Sequence, residues 1–208
     1  MSNLADQIIK YMFKKSLAVS TGSRAYNIVY IEGMSIDGTL NSDLPNLFND
    51  RRLVIQVLDG KPTIIGNWEA TTEPGGHYTY RPMNPHGAAR IAFGQYAAWC
   101  VGMHGSGDRH EALVQVAPVK VHRDFNKDFK RTGDRIDVGL FGINQHWGYD
   151  LPINNIANSS AGCLVGRTRA GHRSFMQLIK GDRRYQSNRN YIFTTTIIAG
   201  DDLLKVCS

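Results

Sequence analysis

One cysteine stands in a setting suited to attack on a carbonyl. In "NSSAGCLVGR" (158–167), Ser160, Ala161 and Gly162 lead into Cys163, and the apolar pair Leu164 and Val165 follows. Small side chains before the thiol let a substrate backbone come close. A free thiol titrates near 8.5, so a reactive one needs an imidazole or another positive group beside it. The nearest upstream histidine is His146, 17 residues before Cys163, at the end of a β-prone run. The expected roles are Cys163 as nucleophile and His146 as general base. The backbone N–H groups of Gly162 and Cys163 are the expected oxyanion donors. Ser160 either helps order the site or stabilises the turn.

The elements that would position these groups follow from periodicity. Leu4, Ile8 and Met12, with Ile9 and Phe13 beside them, predict an N-terminal amphipathic helix within residues 1–19. "STGSR" (20–24) reads as a short linker, and "YNIVYIEGM" (26–34) is β-prone. "RLVIQVLDGKPTIIGNW" predicts a hairpin, because Asp59-Gly60 suits the positive φ angles of a tight turn. "EATTEPGGHYTYRPMNPHG" (69–87) is too rich in Gly and Pro for regular structure. "ARIAFGQYAAWCVGM", "EALVQVAPVKVH", "VGLFGINQHWG" and "RNYIFTTTII" predict further strands, and "GHRSFMQLIKGD" a short helix. The expectation is a β-rich fold with two short helices. No repeat or low-complexity segment divides it, so residues 1–208 are expected to form one domain with a β-rich core over 26–208.

Composition narrows the function classes. The chain has 208 residues and a formal charge of +6, with 24 Lys and Arg against 18 Asp and Glu. A basic balance suits an acidic partner such as an anionic wall polymer, but no nucleic-acid motif accompanies it. The three cysteines, Cys100, Cys163 and Cys207, form no C-x-x-C pair, which excludes a cysteine-rich zinc site. No run of residues reaches the length of a membrane span. Asp6, Lys10, Lys14 and Lys15 interrupt the first apolar stretch, so no secretory signal is expected. Cytoplasmic synthesis, with the protein kept soluble or released by something other than its own signal, is the expected route.

The order His146, then Ser160-Ala161-Gly162-Cys163, then an apolar pair, a helix and a final strand, resembles the L,D-transpeptidase (YkuD-like) catalytic domain. The resemblance spans about residues 50–200 and concentrates at 141–166. Upstream, "LVIQVLDGKPTIIGNWEATTEPGGHYT" is similar to the family's early strands and the loop after them. The form "GINQHWG…SSAGC" is similar to phage-type wall-degrading proteins. The resemblance implies a β-sandwich or barrel whose cysteine attacks a peptidoglycan stem-peptide carbonyl. A thioester forms, and water or an amine resolves it without metal or organic cofactor. Two positions depart from the family pattern. Trp147 stands between His146 and Gly148, and Val165 occupies the place of an arginine, the nearest being Arg167. Trp147, Gly148, Tyr149 and Arg167 are the candidate substrate contacts.

Other groups offer alternatives. His104, Asp108, His110 and His122 could hold zinc as in a metal-dependent amidase, although the H-E-x-x-H spacing is absent. An NlpC/P60-like enzyme would pair Cys100 with His122 or His146. A wall-binding or phage structural protein could keep the fold without the activity. Arg81, Arg90, Arg169 and Arg173 could meet stem-peptide carboxylates. Trp68, Tyr78, Tyr80 and Trp99 could line a groove, with His77 and His86 at its rim. The loop 37–48 offers oxygens at Asp37, Thr39, Asn41 and Asp43 but lacks the Gly and the final Glu of a calcium-binding helix–loop–helix.

Overall fold

A computed structural model describes residues 3–207, with the Cys207 side chain outside that description. In chain order the elements are α1 (Leu4–Lys14), β1 (Tyr26–Glu32), β2 (Asp50–Leu58), β3 (Lys61–Thr71), α2 (Gly76–Tyr80), β4 (Ala88–Ile91), β5 (Gly94–His104), β6 (His110–Gln115), β7 (Val119–Asp124), β8 (Arg135–Gly139), β9 (Gln145–Trp147), β10 (Leu164–Gly166), α3 (Arg169–Lys180), α4 (Arg183–Ser187), β11 (Phe193–Ala199) and α5 (Gly200–Cys207). Eight strands close into a barrel in the order β1-β11-β5-β6-β9-β10-β3-β2, and β4-β7-β8 form a separate sheet. Closure removes the unpaired edges that an open sheet would present.

The predicted hairpin forms as β2 and β3. Asp59 (φ 49°) and Gly60 (φ 73°) both take the left-handed conformation of a type I′ turn. Helix α1 starts at the Asn3 cap, whose side chain accepts from the Asp6 N–H, and ends at Lys14, short of the 1–19 expected. Its face carries Ile8, Ile9 and Met12, which pack with Val29, Ile31, Leu53 and Ile55 on the outside of the barrel. The alternate residues Ile28, Tyr30 and Val54 point into the main core with Trp99, Leu113 and Phe175. Burial on both faces explains why residues 28–31 in β1 read as a continuous apolar run.

Several expectations are corrected. The described residues hold five helices where two were expected; α2 lies inside the Gly/Pro-rich segment, and α5 follows directly on β11. "ARIAFGQYAAWCVGM" breaks at Ala92-Phe93, so β4 joins the small sheet and β5 the barrel. "EALVQVAPVKVH" divides at Ala117-Pro118 in the same way. "VGLFGINQHWG" contains the end of β8, a loop and β9. Among the described residues no helix is long and apolar enough to cross a membrane.

The barrel interior holds an unusual cation. Arg52 is fully buried, and Nε and Nη2 have no hydrogen-bond partner among the described residues. Its guanidinium lies 4.1 Å from the Phe175 ring centroid and 5.4 Å from that of Trp68. Nη1 donates to His172 Nδ1 at 3.2 Å. Aromatic faces and an imidazole therefore hold this charge where a carboxylate would be usual.

Candidate active site

Strand pairing brings the two candidate groups together. β9 and β10 run parallel, with Leu164 opposite Gln145 and Val165 opposite His146. Leu164 and Gln145 face the barrel interior, where Gln145 Nε2 donates to Thr195 Oγ1 at 2.8 Å. Side chains alternate along a strand, so Cys163, Val165 and His146 share the outer face. The Leu164 N–H bonds the Asn144 carbonyl at 2.9 Å, which carries the register back to Cys163 beside Asn144. Cys163 lies two residues before Val165, the residue opposite His146.

Cys163 lines a cavity of about 440 Å³ between the barrel and the small sheet. Tyr78, Ala89, His104, Arg123 and Phe141 contribute to its wall. The sulfur sits against the loop joining β8 to β9. Its thiol donates to the Gly142 carbonyl at 3.5 Å, and the Asn144 backbone N–H also bonds it. Gln115 fixes that loop: its Oε1 accepts from the N–H groups of Phe141 (3.0 Å) and Ile143 (2.9 Å), and its Nε2 donates to the Gly139 carbonyl. Nothing local in the sequence marks Gln115, because its partners lie more than twenty residues away.

The turn before the thiol is pinned by Ser160. Its Oγ accepts from the Gly162 N–H at 3.1 Å and donates to the Cys163 carbonyl at 3.0 Å. This places Ser160 as the turn's organiser. It also commits the Gly162 N–H, one of the two expected oxyanion donors. Gly162 itself has φ 126°, and a Cβ there would be driven into the Ala89 carbonyl oxygen. The glycine is thus required by close approach of β4 to the turn.

His146 is buried, and its Nδ1–H donates to the Trp147 carbonyl at 2.8 Å. That bond selects the tautomer with an unprotonated Nε2, the form able to accept a proton. His104 stacks on it with centroids 3.9 Å apart. The orientation of the His104 ring follows from Asn144. Asn144 Oδ1 accepts from the Gln115 N–H at 2.8 Å, so its Nδ2 donates to His104 Nδ1 at 2.9 Å, leaving the His104 proton on Nε2. Burial, and then the charge His104 would carry, push His146 down to about 3. Burial and His110 likewise lower His104. Burial pushes the Cys163 thiol up to about 11, opposed by the Asn144 N–H. The resting pair is a neutral thiol and a neutral imidazole.

A measurement follows directly. Alkylation of Cys163 by iodoacetamide, followed by peptide-resolved mass spectrometry, should accelerate about tenfold per pH unit from 7 upward and level off near pH 11. A plateau between pH 6 and 9 would instead reveal a preformed thiolate–imidazolium pair.

Comparison of the chain with protein-family models, curated proteins and solved structures gives no match. The site is therefore read from its own geometry.

The remaining candidates are dispersed. Trp147 is buried and stacks on His110 at 3.7 Å, away from the cavity wall. Gly148 is buried too, and a Cβ there would meet Phe48 at 2.8 Å and the Arg167 carbonyl oxygen at 2.9 Å. Tyr149 stands within electrostatic reach of the thiol, and burial, then Asp108 and Cys163, raise its hydroxyl. Arg167 pairs with Glu69 and bonds the Leu151 carbonyl, on the wall of a different cavity. Val165 packs with Phe48 and Ile156. Arg169 is shared between Asp108 and Asp150.

The histidine cluster is not assembled around one point. His104 and His110 face each other across the β5–β6 hairpin, Asp108 turns to Arg169, and His122 lies on β7 in the small sheet. Cys100 sits on β5, where its thiol faces the Asn190 carbonyl at 3.6 Å. Trp99 is core, donating to the Ile143 carbonyl at 2.8 Å, and Trp68 packs edge-on to Phe175. Tyr80 is exposed beside Phe129, whereas Tyr78 lines the cavity. Arg123 also lines it, paired with Asp137.

Proposed function

We propose that the protein is a cysteine acyl-transfer enzyme acting on peptidoglycan stem peptides, as a hydrolase or an L,D-transpeptidase-like transferase. The observation that carries this reading is the parallel register of β9 and β10, which sets Val165 opposite His146 and Cys163 two residues before Val165, where the thiol lines a cavity of about 440 Å³. Sγ attacks the carbonyl carbon of the stem peptide while its proton passes to His146 Nε2. Because both groups rest neutral, proton transfer accompanies carbon–sulfur bond formation. Collapse of the tetrahedral intermediate breaks the carbon–nitrogen bond, and His146 returns the proton to the departing amine. Water or a second amine then attacks the thioester with the same imidazole as base. With the Gly162 N–H committed to Ser160, the Cys163 N–H and the His104 Nε2–H serve the developing oxyanion.

The test is mass spectrometry of stem peptides and isolated wall fragments after incubation with the wild type and with Cys163→Ala. The expected result is a product from the wild type alone. Its mass separates hydrolysis from transfer to an amine. Equal product from both proteins would remove Cys163 from the chemistry. No product from either, with both proteins retained on walls, would favour a binding protein that keeps the fold, a reading to which the unactivated thiol lends some weight.

A further inference from the structure

A second polar centre uses none of the residues given a role at the cysteine. Glu32 closes β1, Asp43 lies in the loop before β2, and Glu73 follows β3. One carboxylate oxygen from each falls within 4.8 Å of the other two. That is the span of ligands placed around a common ion at calcium–oxygen distances of about 2.3–2.6 Å. Asp50 stands behind them, with Oδ1 accepting from the Gly33 N–H and Oδ2 from the Thr72 N–H.

The positive charge supplied by the protein falls short. Arg131 grips both oxygens of Glu32, and Arg90 pairs with one oxygen of Glu73. Thr72 has a single hydroxyl proton, yet its Oγ lies 2.5 Å from Glu32 Oε2 and 2.9 Å from Asp50 Oδ2. Four carboxylates therefore face two guanidinium groups. The second oxygen of Glu73, Oε2, is buried and has no hydrogen-bond partner among the described residues, and the Glu73 side chain is 2% exposed. A buried carboxylate oxygen left unpartnered is costly unless something binds it. A cavity of about 250 Å³, lined by Glu32, Asn41, Asp43 and Asp201, reaches two of the three carboxylates.

We propose that Glu32, Asp43 and Glu73 form a binding site for a calcium-sized divalent cation. The donors are all oxygen, which selects a hard ion over zinc. They come from three separate segments, so the ion would tie the 33–49 loop to the ends of β1 and β3. The loop's own calcium-like spacing plays no part: Asp37 is turned to Thr39, and of those four oxygens only Asp43 enters the group.

The test uses the full-length protein stripped with EDTA, titrated calorimetrically with CaCl₂, MgCl₂ and NaCl at matched ionic strength, with melting followed in parallel. Saturable one-to-one binding of Ca²⁺ is expected, with a melting temperature raised by roughly 5–10 °C at a hundredfold excess over Kd. Asp43→Asn removes a charge at the cavity without disturbing a buried ion pair, and should abolish the Ca²⁺ response while the protein remains folded. Glu73→Gln should do the same if it folds. Absence of a Ca²⁺ response in the wild type, a response matched by Mg²⁺, or one that survives Asp43→Asn would each overturn the assignment.

Discussion

His146→Gln is expected to lower turnover of a stem-peptide substrate by roughly 10²–10⁴-fold, the usual contribution of a positioned general base. Glutamine preserves a polar side chain at the buried position but cannot accept the thiol proton. The same variant should leave the rate of Cys163 alkylation at pH 7–8 within about twofold of the wild type, because in the resting site the imidazole does not activate the thiol. The thiol's contacts are the Gly142 carbonyl and the Asn144 N–H, and neither depends on His146. Turnover and alkylation are therefore expected to separate. If both fell together, a preformed ion pair would have to replace concerted proton transfer. Steady-state kinetics and peptide-resolved alkylation, run on the same preparation, decide between them.

Gly162→Ala should be the most damaging single-methyl change at the site. A backbone at φ 126° lies outside the small left-handed region that other residues visit, which costs about 1–3 kcal/mol. The added methyl would collide with the Ala89 carbonyl oxygen and press the Ala89 Cβ at 3.1 Å. Either β4 withdraws, opening the cavity wall, or the turn loses its Ser160 hydrogen bonds. Together these predict a loss of roughly 3–5 kcal/mol and a melting temperature lower by roughly 10 °C. Gly60→Ala is the internal control. Gly60 also has positive φ, but a Cβ there meets nothing within 4 Å, so only about 1 kcal/mol is expected. Equal losses from the two, measured by calorimetry, would show that β4 yields without cost.

How much of this was readable from residue order depends on the range of the interactions. The β2–β3 hairpin was legible because Asp59-Gly60 encodes its turn locally. The placement of His146 on one short strand and of Cys163 just before the next was also legible, since one polar loop separates them. Barrel closure was not: the parallel pairing of β1 with β11 joins Ile28 to Thr195, and no local pattern announces it. The strand breaks at Ala92-Phe93 and Ala117-Pro118 were hidden because the apolar runs continue while the chain changes sheet. His104 was visible only as a candidate metal ligand. Its stacking on His146 depends on the β5–β6 and β6–β9 pairings together. Nothing in the sequence marks Arg52, because the rings that cover it, Trp68 and Phe175, come from β3 and α3. The carboxylate group was missed for the same reason, because Glu32, Asp43 and Glu73 belong to three elements.

The parallel pairing of β9 with β10 has a practical corollary for engineering. Strand register, and not the number of residues between them, fixes the thiol relative to the imidazole. The connecting segment is anchored at Phe48–Ile153, Asn46–Ile156 and Gly75–Ser160, while Asn154 and Asn155 are exposed at its tip. Foreign sequence spliced between those two asparagines would extend the connector while the β9–β10 register is kept. The tip is thus a ready graft point for an affinity tag or a targeting module.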